Sequence, residues 1–173
     1  MATSSSNKMP LLVDRPMHSY ASIGSQAAIT DSTDLNTPTG AGCTLIIDCS
    51  ANDGAIVDSL SIIANEASTT ASTVLAFLSV AATRDSISDI NTVVVASATI
   101  GSTAKGERTN IPLPPLCVPV PNLGGTTSVG ETDKKNTGLY IPSGGLLYVG
   151  LDVALSSPNT DTRVHVFAQG GFF

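Results

Sequence analysis

The chain has 173 residues and a mass of 17.5 kDa. Hydrophobic residues make up 42% and charged residues only 13%, about half the usual charged share, which excludes wholesale disorder and leaves room for one domain with a real core. Eight Lys and Arg against fourteen Asp and Glu give a net charge of -6 with 4% aromatics and no Trp, a composition unsuited to binding a phosphate backbone or to stacking bases.

Residues 1–40 are rich in Ser, Thr, Asn and Pro, with short apolar patches at Leu11, Leu12 and Val13 and at 27–29. They read as an extended N-terminal arm with one short edge strand, either a partly ordered terminus or an arm that orders on a neighbouring subunit. The folded domain is expected over 41–173. The start has no basic region leading into a long apolar run, so no secretion signal is expected. The most apolar window, 74–82, is too short to span a bilayer, so no membrane partner is expected.

Residues 43–49 (CTLIIDC) form a compact β-rich run in which alternation puts Cys43, Leu45, Ile47 and Cys49 on one face. Asn52-Asp53-Gly54 is a turn signal, because these residues tolerate positive φ. Residues 55–64 then alternate, with Ile56, Leu60 and Ile62 on one side and Val57, Ser59 and Ser61 on the other, and the pair reads as a hairpin. Residues 72–82 (STVLAFLSVAA) are apolar on both faces. A helix is the rival reading, but Thr73, Val74 and the short length favour a buried central strand. A polar connection at 84–91 with room for one helical turn leads to a strand at 92–100, ended by Gly101.

Residues 111–121 (IPLPPLCVPVP) carry five prolines, which remove backbone donors and confine the segment to an extended edge, partly polyproline II. Its apolar residues are suited to packing rather than to display as an SH3-type ligand. A long polar loop at 123–138 follows. Residues 139–142, the turn Ser143-Gly144-Gly145 and residues 146–155 read as strand, turn, strand, with Leu147, Val149, Leu151, Val153 and Leu155 on one face. The chain closes with 163–169, where Val164, Val166 and Ala168 point inward, and ends Gly170-Gly171-Phe172-Phe173. Short strands at regular spacing without a helical period indicate an all-β protein, a jelly-roll-like antiparallel β-sandwich of seven or eight strands with an extended N-terminal arm.

Chemistry-bearing constellations are scarce. The three cysteines, Cys43, Cys49 and Cys117, are an odd number without a C-x-x-C pair. Cys43 and Cys49 would stand roughly 20 Å apart on extended backbone, so neither a disulfide framework nor structural zinc is expected. Free thiols suit folding in a reducing compartment. His18 and His165 are far apart in sequence, and His165 falls beside Arg163 and Gln169 on an outward face without a specific acid or nucleophile. Asp48, Asp53 and Asp58 flank the first turn, but their spacing is not that of a calcium loop and turn capping accounts for them. No nucleophile elbow or phosphate loop occurs. No catalytic residue, cofactor or metal is expected, and the chain reads as a non-enzyme. Its mean hydropathy of +0.25 points instead to outward apolar strand faces that meet other subunits.

Four stretches in order, Ala21-Ser22-Ile23-Gly24-Ser25, residues 57–70, Tyr140-Ile141-Pro142-Ser143-Gly144-Gly145 and Val164 through Gln169-Gly170-Gly171, resemble small β-sandwich virion proteins of tailed bacteriophages, including those of cyanobacterial phages. The ending departs from that pattern, in which Gly-Asp-Tyr often closes the chain where this one has Phe172-Phe173. The resemblance implies a virion structural protein, assembled in the host cytoplasm. It would decorate or cement the icosahedral head, with the major capsid protein as partner and a homo-oligomer, most simply a trimer, as its working unit. The expected partner contacts are Leu11, Leu12 and Val13 in the arm, Ile111, Pro112, Leu113, Pro114, Pro115 and Leu116 in the proline segment, and Phe172 and Phe173 at the end. On this reading, removing residues 1–36 leaves a folded domain that no longer binds shells. The alternatives are a tail or baseplate component and a host-carbohydrate-binding sandwich, the latter disfavoured by the shortage of aromatic side chains.

Overall fold

The computed structural model describes residues 14–24, 43–65, 71–80, 90–100, 105–114, 138–153 and 163–173. Among them are nine strands and no helix: β1 (Arg15–Gly24), β2 (Cys43–Asp48), β3 (Gly54–Ala64), β4 (Ser72–Ser79), β5 (Thr92–Ile100), β6 (Arg108–Ile111), β7 (Leu139–Pro142), β8 (Leu146–Leu151) and β9 (Arg163–Phe172). They build two antiparallel sheets packed face to face. One sheet has the order β1-β9-β3-β6, with β7 also paired to β3; the other has the order β2-β8-β4-β5. The chain changes sheet after β1, β2, β3, β5, β7 and β8. Only β4–β5 stay together as consecutive paired neighbours.

The core fills the space between the sheets. Met17, Ile23, Val57, Leu60, Ile62, Val164, Val166 and Ala168 come from the five-stranded sheet. Ile47, Val74, Ala76, Leu147, Val149 and Leu151 come from the four-stranded one. The alternation expected for 163–169 is what places Val164, Val166 and Ala168 there. β4 lies between β8 and β5 and is buried on both faces. Val74 and Ala76 face the core, while Leu75 and Phe77 join Leu146 and Tyr148 in a second buried cluster. That explains why its sequence is apolar throughout.

Four expectations are corrected. Arg15–Gly24, in the segment read as an arm with one short edge strand, is a ten-residue edge strand paired along its whole length with β9. The five-stranded sheet therefore begins at Arg15 rather than near residue 41. β2 and β3 are not a hairpin, because β2 lies in one sheet and β3 in the other. The turn itself stands: Gly54 has φ +137°, a backbone that L side chains rarely adopt. This crossing is tied to the one between β7 and β8. Cys49 N donates to Gly145 O (3.0 Å), Gly144 N to Cys49 O (3.0 Å) and Ser143 Oγ to Asn52 O (3.0 Å).

The other two corrections come from β-bulges, each of which reverses the inward-outward parity after it. A register shift between Leu45 and Ile47 leaves Leu45 40% exposed and puts both Ile46 and Ile47 inside. A shift between Val57 and Ser59 makes Asp58 the extra residue. Val57 therefore shares the core with Leu60 and Ile62, while Ile56 faces outward with Ser59 and Ser61. β6 was not foreseen. Its residue Ile111 ends an edge strand, as the prolines after it require. The loop at 123–137, most of the connection at 84–91 and Leu155 lie outside the described residues.

Candidate interaction surfaces

The chain has only seven aromatic residues, three Tyr and four Phe. Four of them, Tyr20, Tyr140, Phe167 and Phe173, and both histidines lie on the outer face of the five-stranded sheet. Strand parity puts the strand residues there: with Met17, Ala21 and Ile23 of β1 and Val164, Val166 and Ala168 of β9 turned inward, the alternate residues His18, Tyr20 and Ser22 and His165, Phe167 and Gln169 face out. Antiparallel register then lines them up in rows. Tyr20 is opposite Phe167, Phe167 opposite Ser61, and Ser61 opposite Asn110. Ser22, His165, Ile63 and Arg108 form the next row, and His18, Gln169 and Ser59 another.

Two ring contacts are diagonal across β1 and β9: His18 stacks on Phe167 at 6.2 Å between centroids and Tyr20 meets His165 at 6.4 Å. Tyr140 of β7 meets Phe173, just past the end of β9, at 6.1 Å. Tyr20 remains 72% exposed. Ser59 Oγ donates to Gln169 Oε1 at 3.3 Å, and Gln169 Nε2 lies 3.4 Å from His18 Nδ1. Ser61 Oγ, on the same face, is buried and has no hydrogen-bond partner. A buried hydroxyl left unpaired is costly.

Beside this face, β3 changes partner along one edge. β7 pairs with Gly54 to Val57 and β6 with Leu60 to Ile63, and the bulged Asp58 stands between them. A cavity of about 720 Å³ opens there, with Leu60, Ile111 and Leu113 as apolar wall and Asp58, Ser59, Arg108, Asn110 and Gln169 as polar rim.

A different surface lies at the β4–β5 end of the four-stranded sheet. Val80 (61% exposed), Ile90 (94%) and Val93 (57%) bring three aliphatic side chains to solvent close together, fixed by Val80 N donating to Asn91 O at 2.9 Å.

Of the residues expected to touch partners, Ile111 is buried in the core opposite Leu60 and is not available as a surface contact. Pro112 is exposed, and Leu113 and Pro114 are half-buried. Phe172 is half-buried, with the Arg15 guanidinium 5.3 Å over its ring, and Phe173 lies against Tyr140. Leu11, Leu12, Val13, Pro115 and Leu116 lie outside the described residues.

Asp48 accepts a hydrogen bond from Ser50 N at 2.7 Å, which is a turn cap. Among the described residues, no three His, Cys, Asp or Glu side chains converge as metal ligands, and no helix is long and apolar enough to cross a membrane. Cys49 is a free, buried thiol whose pKa is pushed up to about 11, first by burial and then by the Asp48 carboxylate. Such a thiol is a poor nucleophile. No protein-family model matches the chain, and no curated protein is significantly similar to it.

Proposed function

We propose that this chain is a non-enzymatic virion structural protein that decorates or cements the icosahedral head of a tailed phage. The observation that carries the reading is the strand order. Sheets ordered β1-β9-β3-β6 and β2-β8-β4-β5 are what results when an eight-strand ribbon is rolled so that early and late strands interleave in both sheets. That order supports reading the sandwich as a jelly roll with β7 as an added strand, and jelly rolls are a recurring architecture of viral shells. The exposed trio Val80, Ile90 and Val93 supplies an apolar contact patch of the kind a subunit buries on assembly.

On this reading the protein works as a homo-oligomer, most simply a trimer, on the major capsid protein, after assembly in the host cytoplasm. Segment 1–13, with Leu11, Leu12 and Val13, precedes an edge strand of the sandwich and extends the contact area. Individually weak contacts become durable because several must release together.

The test is the copy number of this chain in purified particles relative to the main shell protein, by quantitative peptide mass spectrometry. A ratio near one, or a simple fraction of it, is the expected result. A handful of copies would move the protein to the tail or a unique vertex, and absence from particles would overturn the virion reading.

A further inference from the structure

We infer that the outer face of the five-stranded sheet, together with the cavity at the Asp58 bulge, is a binding site for a neutral glycan. This goes beyond the virion role and does not depend on it.

The low aromatic content argues against sugar binding only if the rings are scattered, and they are not. Tyr20, Phe167 and the two histidine rings form a contiguous patch across β1 and β9. The row from Phe167 through Ser61 to Asn110 leads from that patch to the rim of the cavity. A pyranose ring presents C–H faces, which pack on aromatic rings. It also presents adjacent hydroxyls that both donate and accept, and amides and carboxylates match them as two-way or paired partners. The rim offers both kinds in Asn110, Gln169 and Asp58.

Two further observations point to a ligand. The β3 bulge turns Asp58 out of both pairings and onto the cavity rim, a use of bulges found beside functional sites. Ser61 Oγ is buried on this face without a partner, an unmet polar group beside Asn110 and Phe167. The volume of about 720 Å³ lies within the usual range for small-ligand sites, about 300–1,000 Å³. The rim carries one acid and one base, Asp58 and Arg108. That balance fits an uncharged sugar better than a polyanion, which would require a surplus of cations.

The experiment screens the full chain against an array of neutral hexose and N-acetylhexosamine oligosaccharides alongside sialylated and sulfated ones. The best ligand is then titrated with the wild type, Asn110→Ala and Asp58→Asn. Both substituted residues are exposed, so the thermal midpoint should stay within about 2 °C. Retention of neutral glycans is expected, with each variant weakening binding about tenfold and ligand-induced amide shifts at Phe167, Ser61 and Gln169 in NMR spectra. No retained glycan, binding restricted to anionic glycans and abolished by salt, or binding indifferent to both variants would each overturn the proposal. The copy number in particles is unaffected by any of these outcomes.

Discussion

Gly170 occupies a position where a side chain would collide with the backbone of Ile56. A Cβ built on Gly170 would run into the Ile56 carbonyl oxygen, and it would also lie 3.0 Å from Val57 Cα. The cause is the bulge one residue further along β3, which draws the two strands together where Gly170 pairs with Val57. Backbone cannot swing aside as a flexible side chain can. Gly170→Ala is therefore expected to cost about 3 kcal/mol, at the upper end of overpacking effects, read as a lower urea midpoint at unchanged slope. A midpoint equal to the wild type would show that the strands can separate there freely.

The position of β1 changes what an arm deletion does. Met17 and Ile23 are buried in the core, and Ser19 Oγ donates to Ile46 O in the opposite sheet. Removing residues 1–36 would strip an edge from β9 and open the core. Each large aliphatic lost would cost about 2–5 kcal/mol, enough in sum to unfold a domain of ordinary stability. Removing residues 1–13 deletes none of these contacts. The shorter truncation should give a cooperative thermal transition and the longer one none. Binding of the shorter truncation to shells then tests the arm without the confusion of misfolding. Shell binding equal to the full chain would remove Leu11, Leu12 and Val13 from the interface.

Cys49 gives a prediction with a definite sign. Its thiol pKa is pushed up to about 11 in the fold from an ordinary value of 9.0. Between those values the unfolded chain has released the thiol proton while the folded chain still holds it. The folded state therefore binds more protons, and stability falls as pH rises through that window. Below pH 9 the contribution is complete and flat. Chemical denaturation at pH 8, 9, 10 and 11 should show the loss in the wild type and a smaller one in Cys49→Ala, whose difference isolates this residue from other titrating groups. Iodoacetamide at pH 8 should leave the Cys49 peptide unlabelled until denaturant is added. Rapid labelling of the folded protein would contradict the burial.

The period-2 pattern was legible wherever a strand ran without interruption. The inward set Val164, Val166 and Ala168 follows from alternation alone, whereas Thr92–Ile100 reads as a strand from its β-branched run, and a bulge that leaves Val95 unpaired breaks its alternation. What failed was parity across bulges: nothing in the run around Leu45 to Ile47, or in Val57-Asp58-Ser59, announces that one residue will be left unpaired. Partner choice was equally invisible. Asn52-Asp53-Gly54 signals that the chain turns, but the same turn serves a hairpin or a crossing between sheets. An edge strand within residues 1–40 was expected, but the place and ten-residue length of β1 were hidden by its Ser, His and Pro, and β6 was hidden by Arg-Thr-Asn, which dilutes the apolar signal. The aromatic face was half visible. His165, Phe167 and Gln169 alternate plainly on β9, but His18 and Tyr20 join them only once β1 is known to pair there.

The patch at the β4–β5 end separates folding from assembly. Ile90 is 94% exposed and contributes almost nothing to the core, so Ile90→Glu should leave the thermal midpoint of the isolated protein nearly unchanged. If this patch is buried against the shell, the same change removes about 2 kcal/mol of apolar burial per subunit and adds the cost of burying a charge. Affinity for purified shells lacking this protein should drop by at least about thirtyfold, and more where several subunits bind together. Val93→Lys should act in the same direction through a neighbouring side chain. A pair of variants that fold normally and bind shells as tightly as the wild type would place the contact elsewhere, on the aromatic face or on residues 1–13.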